Sequence, residues 1–135
     1  MRFADTNILL YAISTAPEEN EKARRANAVL DEGDIALSAQ VLQEFYVQAT
    51  RASRPDALTH AQAAGLVEAF LRFPTTPVTV EIVRAAMVTR HRFDLSYRDA
   101  AILEAARASG CEVVLSEDLP DGADYDGVRV ENPFR

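Results

Sequence analysis

The chain is poor in the residues that would make a disulfide scaffold, a zinc site or a membrane span. It has one cysteine, two histidines, no tryptophan and five glycines in 135 residues. A lone Cys111 has no internal partner for a disulfide, and with only His60 and His91 beside it there is no zinc-type ligand spacing. The longest unbroken apolar run is "ILLYAI", far too short to span a bilayer, and "MRFADTN" meets an acid before any signal-peptide core could form. The expectation is one cytoplasmic domain over residues 1–135. Lysine is almost missing as well: Lys22 is the only one, and the other thirteen basic residues are arginine, the side chain that grips carboxylate or phosphate with two parallel hydrogen bonds.

The composition that remains is ordinary for a globular protein, 48% hydrophobic and 26% charged. A net charge of −7 argues against a polyanionic partner until it is divided along the chain. Residues 1–17 sum to 0, 18–34 to −3, 35–111 to +1 and 112–135 to −5, so the middle of the chain is not acidic.

Short apolar strands alternate with helical segments. "RFA" is followed by the capping cluster "DTN" and the helix "ILLYAI"; "EENEKARRANAVLDEG" is helical up to Gly33; "IALS" ends in Ser38, which can cap "AQVLQEFYVQATR". A loop through Pro55, the helix "HAQAAGLVEAFLRF", a third strand "PVTV" and the helix "EIVRAAMVTRHRF" follow. The helix "SYRDAAILEAARA" stops at Gly110, "CEVVLS" reads as a strand buried on both faces, and "VRV" as a fifth. This pattern predicts an α/β fold: a parallel sheet of four to five strands with helices on both faces. No repeat, linker or low-complexity segment interrupts it.

In such sheets the working site lies beyond the carboxyl ends of the strands, where chain order reverses. Asp5 directly follows the first strand, and "SED", with Ser116, Glu117 and Asp118, directly follows "EVVLS". Glu44 lies in the second turn of the helix leaving the second strand. With Asp99 at 0° and about 100° per residue, Leu103 falls near 40°, Ala106 near 340° and Ile102 near 300°, so this acid sits inside the apolar stripe of its helix. Arg98, Glu104 and Arg107 are expected on a separate polar face. Each acid has a plainer reading: Asp99 as part of a capping box with Ser96, Asp5 as a turn residue, Glu44 on an exposed flank, Asp118 in a solvated acidic tail. Their convergence on one edge favours function. Carboxylates gathered without a basic partner repel one another, and a divalent cation resolves this. An all-oxygen set suits magnesium or manganese and metal-assisted phosphodiester hydrolysis.

"ADTNILLY", "QEF", "LSYRDAAILEAA", "VVLSEDL" and the terminal "NPF" together resemble the PIN domain family, in particular the toxin ribonucleases of bacterial VapBC toxin–antitoxin pairs. The resemblance runs through essentially the whole chain. It implies catalytic acids at Asp5, Glu44, Asp99 and Asp118, with Asp5, Asp99 and Asp118 as metal ligands and Asn7 and Ser116 in support. It also implies Mg²⁺ or Mn²⁺ as cofactor, single-stranded RNA as substrate, a homodimer and a cognate antitoxin. Of the adjacent Glu117 and Asp118, the family pattern favours Asp118. Two alternatives stand beside the toxin: a PIN nuclease for RNA processing without an antitoxin, and a PIN-like binding module without activity. A response-regulator receiver is disfavoured because it needs a late lysine, and a haloacid-dehalogenase phosphatase because Asn7 takes its second aspartate's place. Arg51, Arg54, Arg90 and Arg92 are the candidates for phosphate contact. Cys111, His60 and His91 are read as structural or surface residues.

Overall fold

Residues 1–135 are described by a computed structural model. Strand β1 (Arg2–Ala4) runs straight into helix α1 (Thr6–Ala12), with Asp5 ending the strand and capping the helix. A 3₁₀ turn at Pro17–Glu19 leads to α2 (Asn20–Asp31), and β2 (Ile35–Ser38) then passes directly to α3 (Ala39–Ala49). The Ser38 hydroxyl accepts the Val41 N–H at 3.2 Å, so it caps α3 as expected. After α4 (His60–Phe70) come β3 (Thr75–Thr76), α5 (Val80–Phe93), α6 (Tyr97–Ala108), β4 (Val113–Leu115), β5 (Asp124–Tyr125) and β6 (Val128–Glu131).

These strands form one sheet in the order β3-β2-β1-β4-β6-β5, parallel throughout except for β5 against β6. From β1 the order runs one way to β2 and β3 and the other way to β4, so the reversal falls between β1 and β4. Phe3, Leu37, Leu115 and Val130 from the strands meet Ile8, Leu9, Phe45 and Leu103 from the helices in one buried cluster. That burial is the main stabilising term, at about 25 cal/mol per Å² of apolar surface removed from water. No helix is long and apolar enough to cross a membrane.

Three expectations are corrected. The sheet has six strands rather than four or five, because β5 and β6 form a hairpin around Asp126 and Gly127, whose φ values are 55° and 95°. An Asp-Gly pair with both residues at positive φ is a favoured hairpin turn. "PVTV" is not a strand: β3 ends at Thr76, Pro77 has no N–H for a ladder, and Thr79 accepts the Ile82 N–H at 3.1 Å to start α5. Finally, of the polar face expected on α6 only Arg107 is exposed. Glu104 is only 7% exposed, taking hydrogen bonds from Thr89 of α5 at 2.8 Å and from Arg107 at 3.1 Å.

Candidate active site

The carboxyl ends of β1, β2 and β4 lie along one edge of the sheet, and the acids gather there. Asp5 is fully buried; its two carboxylate oxygens accept the Thr6 N–H and the Ser116 hydroxyl, each at 2.7 Å. The same Ser116 oxygen accepts the Asp118 N–H at 3.1 Å and so ties the end of β4 to the end of β1. Glu44 reaches in from α3, where its Oε1 accepts the Thr6 hydroxyl at 2.6 Å. Its half-buried position departs from the exposed flank that helix periodicity suggested. Asp118 accepts from Asn7 Nδ2 at 3.2 Å. Ser96 caps α6 through the Asp99 N–H at 3.1 Å, whereas the Asp99 carboxylate accepts from Arg98 at 3.2 Å and points into the site.

At the centre of the four acids stands Arg98, and this overturns two expectations at once. The acids do have a basic partner, and Arg98 does not turn to a separate face. Its guanidinium engages Asp5 with both terminal nitrogens, one of them at 3.1 Å, and engages Glu44 through Nη2 at 2.8 Å and Nε at 3.2 Å. Asp118 is 3.6 Å from Nη1. Arg98 occupies the first turn of α6, and helical side chains lean back toward the helix N-terminus, so its long chain projects past the helix end into the strand edge. An angular count that treats every residue as radial cannot register that lean.

One guanidinium among four carboxylates leaves an excess of negative charge, and the excess is unevenly felt. Burial alone would raise the Glu44 carboxyl, but the bonds from Arg98 and Thr6 outweigh it and hold Glu44 below its usual range. Asp118 is pushed upward by burial and then by the charge of Asp5, with Arg98 and Asn7 only partly opposing. Burial would weaken the Arg98 cation, yet Glu44 and Asp5 raise its proton affinity instead. For Asp118, a folded-state pKa above the unfolded one means a contribution that is present at low pH and lost as pH rises through the folded value. At neutral pH its charge therefore works against the metal-free fold. Asp118→Asn is expected to melt higher than wild type at pH 7 in EDTA, with the gap closing below about pH 4, where the carboxyl is protonated in both states. Paired thermal melts across that range check the sign.

Of the two adjacent acids, Asp118 faces Arg98 while Glu117 turns away to Tyr11 and to Lys22 Nζ at 3.0 Å. Lys22 also lies 4.7 Å from the Tyr11 ring centre, and Phe134 of "NPF" stacks edge-on against that ring at 4.9 Å. Arg98, Thr6, Tyr11 and Lys22 are thus members of the site that sequence reasoning missed. For Thr6 and Arg98 the available signal was adjacency to Asp5 and Asp99. Asp99 and Asp118 open onto a cleft of about 490 Å³ lined also by Asn7, Tyr11 and Arg54 among others. Arg51 borders a smaller groove beside Glu44, and Arg90 and Arg92 line neither; Arg92 pairs with Asp126 at 3.3 Å. Cys111 is buried, and His60 is hydrogen-bonded to Tyr46 at 2.8 Å.

The donors are all oxygen, which suits a hard cation such as Mg²⁺ or Mn²⁺. No three acids stand together as a finished metal cage; the Arg98 guanidinium lies among them. Beside them Asn7 Oδ1 is a buried acceptor without a hydrogen-bond donor.

An α/β domain with acids at its strand-order reversal carries them where open parallel sheets bind their ligands. The chain matches the PIN domain across residues 2–119, nearly its whole length, and it belongs to that family. Solved structures show the same fold. It is similar to a toxin–antitoxin complex from Klebsiella pneumoniae, with 23% identity, 98% of each chain covered and a TM-score of 0.73. It is also similar to FitAB bound to a DNA fragment, at 18% identity over 100% of this chain and 96% of that one, with a TM-score of 0.72. VapC20 of Mycobacterium tuberculosis, a sarcin–ricin loop cleaving toxin, shares 18% identity over 87% and 90% of the two chains with a TM-score of 0.64. No curated protein matches the chain.

Proposed function

We propose that this chain is a divalent-metal-dependent endoribonuclease and the toxin of a VapBC-type pair. The observation that carries this reading is the convergence of Asp5, Glu44, Asp99 and Asp118, from four separate segments, around one cationic group at the reversal point of a parallel sheet. Asp5, Asp99 and Asp118 would hold Mg²⁺ or Mn²⁺, with Glu44 completing the acidic set. When bound, such an ion lowers the pKa of a water and steadies charge on the phosphate being cut. The protein's own groups do the positioning: Ser116 fixes Asp5 relative to Asp118, Thr6 fixes Asp5 relative to Glu44, and Asn7 orients Asp118. Arg54, at the cleft, is the arginine best placed for an RNA phosphate, with Arg51 beside it and Arg90 and Arg92 more remote.

The antitoxin assignment draws on similarity to the Klebsiella pneumoniae toxin–antitoxin complex and to VapBC2 of Rickettsia felis bound to a DNA fragment from their promoter. Its inhibitory segment would be a C-terminal stretch carrying an arginine, since a basic fork pairs with carboxylates. The homodimer belongs to the same reading, and the exposed Val80, Met87 and Val88 share one face of α5 with the exposed Arg84 and His91, a mixed apolar and polar surface of the kind protein interfaces use.

RNA incubated with the purified chain is expected to be cut in Mg²⁺ or Mn²⁺, spared in EDTA, and spared again when the product of the adjacent gene is added. Cleavage undiminished in EDTA would remove the metal from the mechanism. Cleavage indifferent to the neighbour's product would leave a PIN nuclease without an antitoxin, and no cleavage with either ion would leave a binding module.

A further inference from the structure

We propose that Arg98 is an internal occupant of the cation position, and that a divalent ion loads only as its guanidinium withdraws. The inference rests on the metal reading above and concerns what that ion must displace.

Arg98 contacts all four acids of that reading, two of them with paired hydrogen bonds, and it also donates to Thr6 Oγ1 at 3.1 Å. It stands where the positive charge is needed. Three of the acids have other donors besides it. Asp5 is held by Thr6 and Ser116, Glu44 by Thr6, and Asp118 by Asn7, while the backbone of Asp99 is fixed in the capped first turn of α6. Asp5, Glu44 and Asp118 therefore keep their partners when the arginine leaves. Arg98 also has somewhere to go: its side chain is 31% exposed and lines the open cleft, so rotation about its own bonds carries the guanidinium outward without moving α6.

Charge gives the exchange its direction. One positive charge facing four carboxylates leaves three uncompensated, and Asp118 is the acid farthest from the guanidinium, at 3.6 Å. A divalent ion compensates more of that charge, and the arginine withdrawn to the rim remains near enough to add its own. The equilibrium is a competition, in which apparent metal affinity is the intrinsic affinity reduced by the fraction of time the position is free. Removing the guanidinium should tighten metal binding while loosening the metal-free fold. An arginine serving only as structural support would do the second without the first.

The test uses the full chain as wild type, Arg98→Gln and Arg98→Lys, stripped with EDTA, dialysed and titrated with Mn²⁺ while free Mn²⁺ is read by electron paramagnetic resonance. A guanidinium in place nine-tenths of the time predicts that Arg98→Gln binds Mn²⁺ about tenfold more tightly than wild type, with Arg98→Lys between them. The same variant should melt lower than wild type in EDTA, with the difference narrowing in Mn²⁺. In the wild-type chain, ¹⁵N NMR of arginine side chains should show the Arg98 Nε–H protected from solvent exchange in EDTA and exposed or shifted on adding Mg²⁺, which decides the matter even where the glutamine variant does not fold. Equal or weaker Mn²⁺ binding by a folded Arg98→Gln, or an Arg98 signal indifferent to saturating Mg²⁺ in a chain that binds it, overturns the inference alone. Failure of wild type and both folded variants to bind Mn²⁺ overturns it together with the metal reading.

Discussion

Asp5→Asn should lower RNA cleavage by about three orders of magnitude or more, the equivalent of about 4 kcal/mol of transition-state stabilisation at 1.4 kcal/mol per tenfold. Asparagine preserves the volume of this fully buried side chain and one acceptor for the Thr6 N–H. It loses the charge, and it turns an amide N–H₂ toward the Ser116 hydroxyl or toward Arg98, both of which are donors in the native site. Because the charge of Asp5 helps raise the carboxyl of Asp118, that pKa should fall back in the variant, which carbon NMR of the aspartate side chains would read. Circular dichroism and a thermal melt separate loss of chemistry from loss of fold. A folded variant that cleaves within tenfold of wild type would place the chemistry elsewhere.

The second large effect concerns stability. Phe45 is fully buried and meets Phe70 edge-on at a ring separation of 5.1 Å, which joins α3 to α4. Truncation to alanine removes the ring from this contact and leaves a cavity that the surrounding helices and sheet fill only in part. Phe45→Ala should cost about 3–5 kcal/mol, a large share of the 5–15 kcal/mol that holds a domain of this size together. Urea melts should show a lower midpoint with an unchanged slope if the unfolded state is unaffected. Since α3 also carries Glu44 one residue earlier, cleavage should weaken under conditions where the variant still folds. A loss below 1 kcal/mol would mean that this corner of the core collapses around the gap.

What was legible in the chain was whatever its local order dictates. Strand and helix alternation required parallel pairing, and parallel pairing placed residues that follow strands, Asp5 and Ser116–Asp118, on one edge. Asp99 was visible as an acid within an apolar stripe. Glu44 was singled out through its place after the second strand and the family resemblance, against its own periodicity, and the role of Arg98 was not legible at all, for the same reason: side-chain length and lean decide where a charge arrives, and periodicity records only where it starts. Glu44 starts on a flank of α3 and Arg98 off the stripe of α6, yet both end within hydrogen-bonding distance of each other. The polar face expected on α6 failed differently, because α5 covers it and supplies Thr89 to satisfy Glu104. The β5–β6 hairpin was present in the letters "DG" at Asp126 and Gly127 and was simply outweighed by the acidity of the surrounding segment.

The strands that close the sheet at its two sides, β3 and β5, are each two residues long. Long strands at those positions would present a row of unpaired amides and carbonyls, a template on which further chains could add by backbone pairing. Here the template is too short to hold a newcomer. Copies of this chain crowded together in a cell therefore have little to gain by growing the sheet outward, and any association between them falls to the side chains on the helices, where shape and charge discriminate one partner from another.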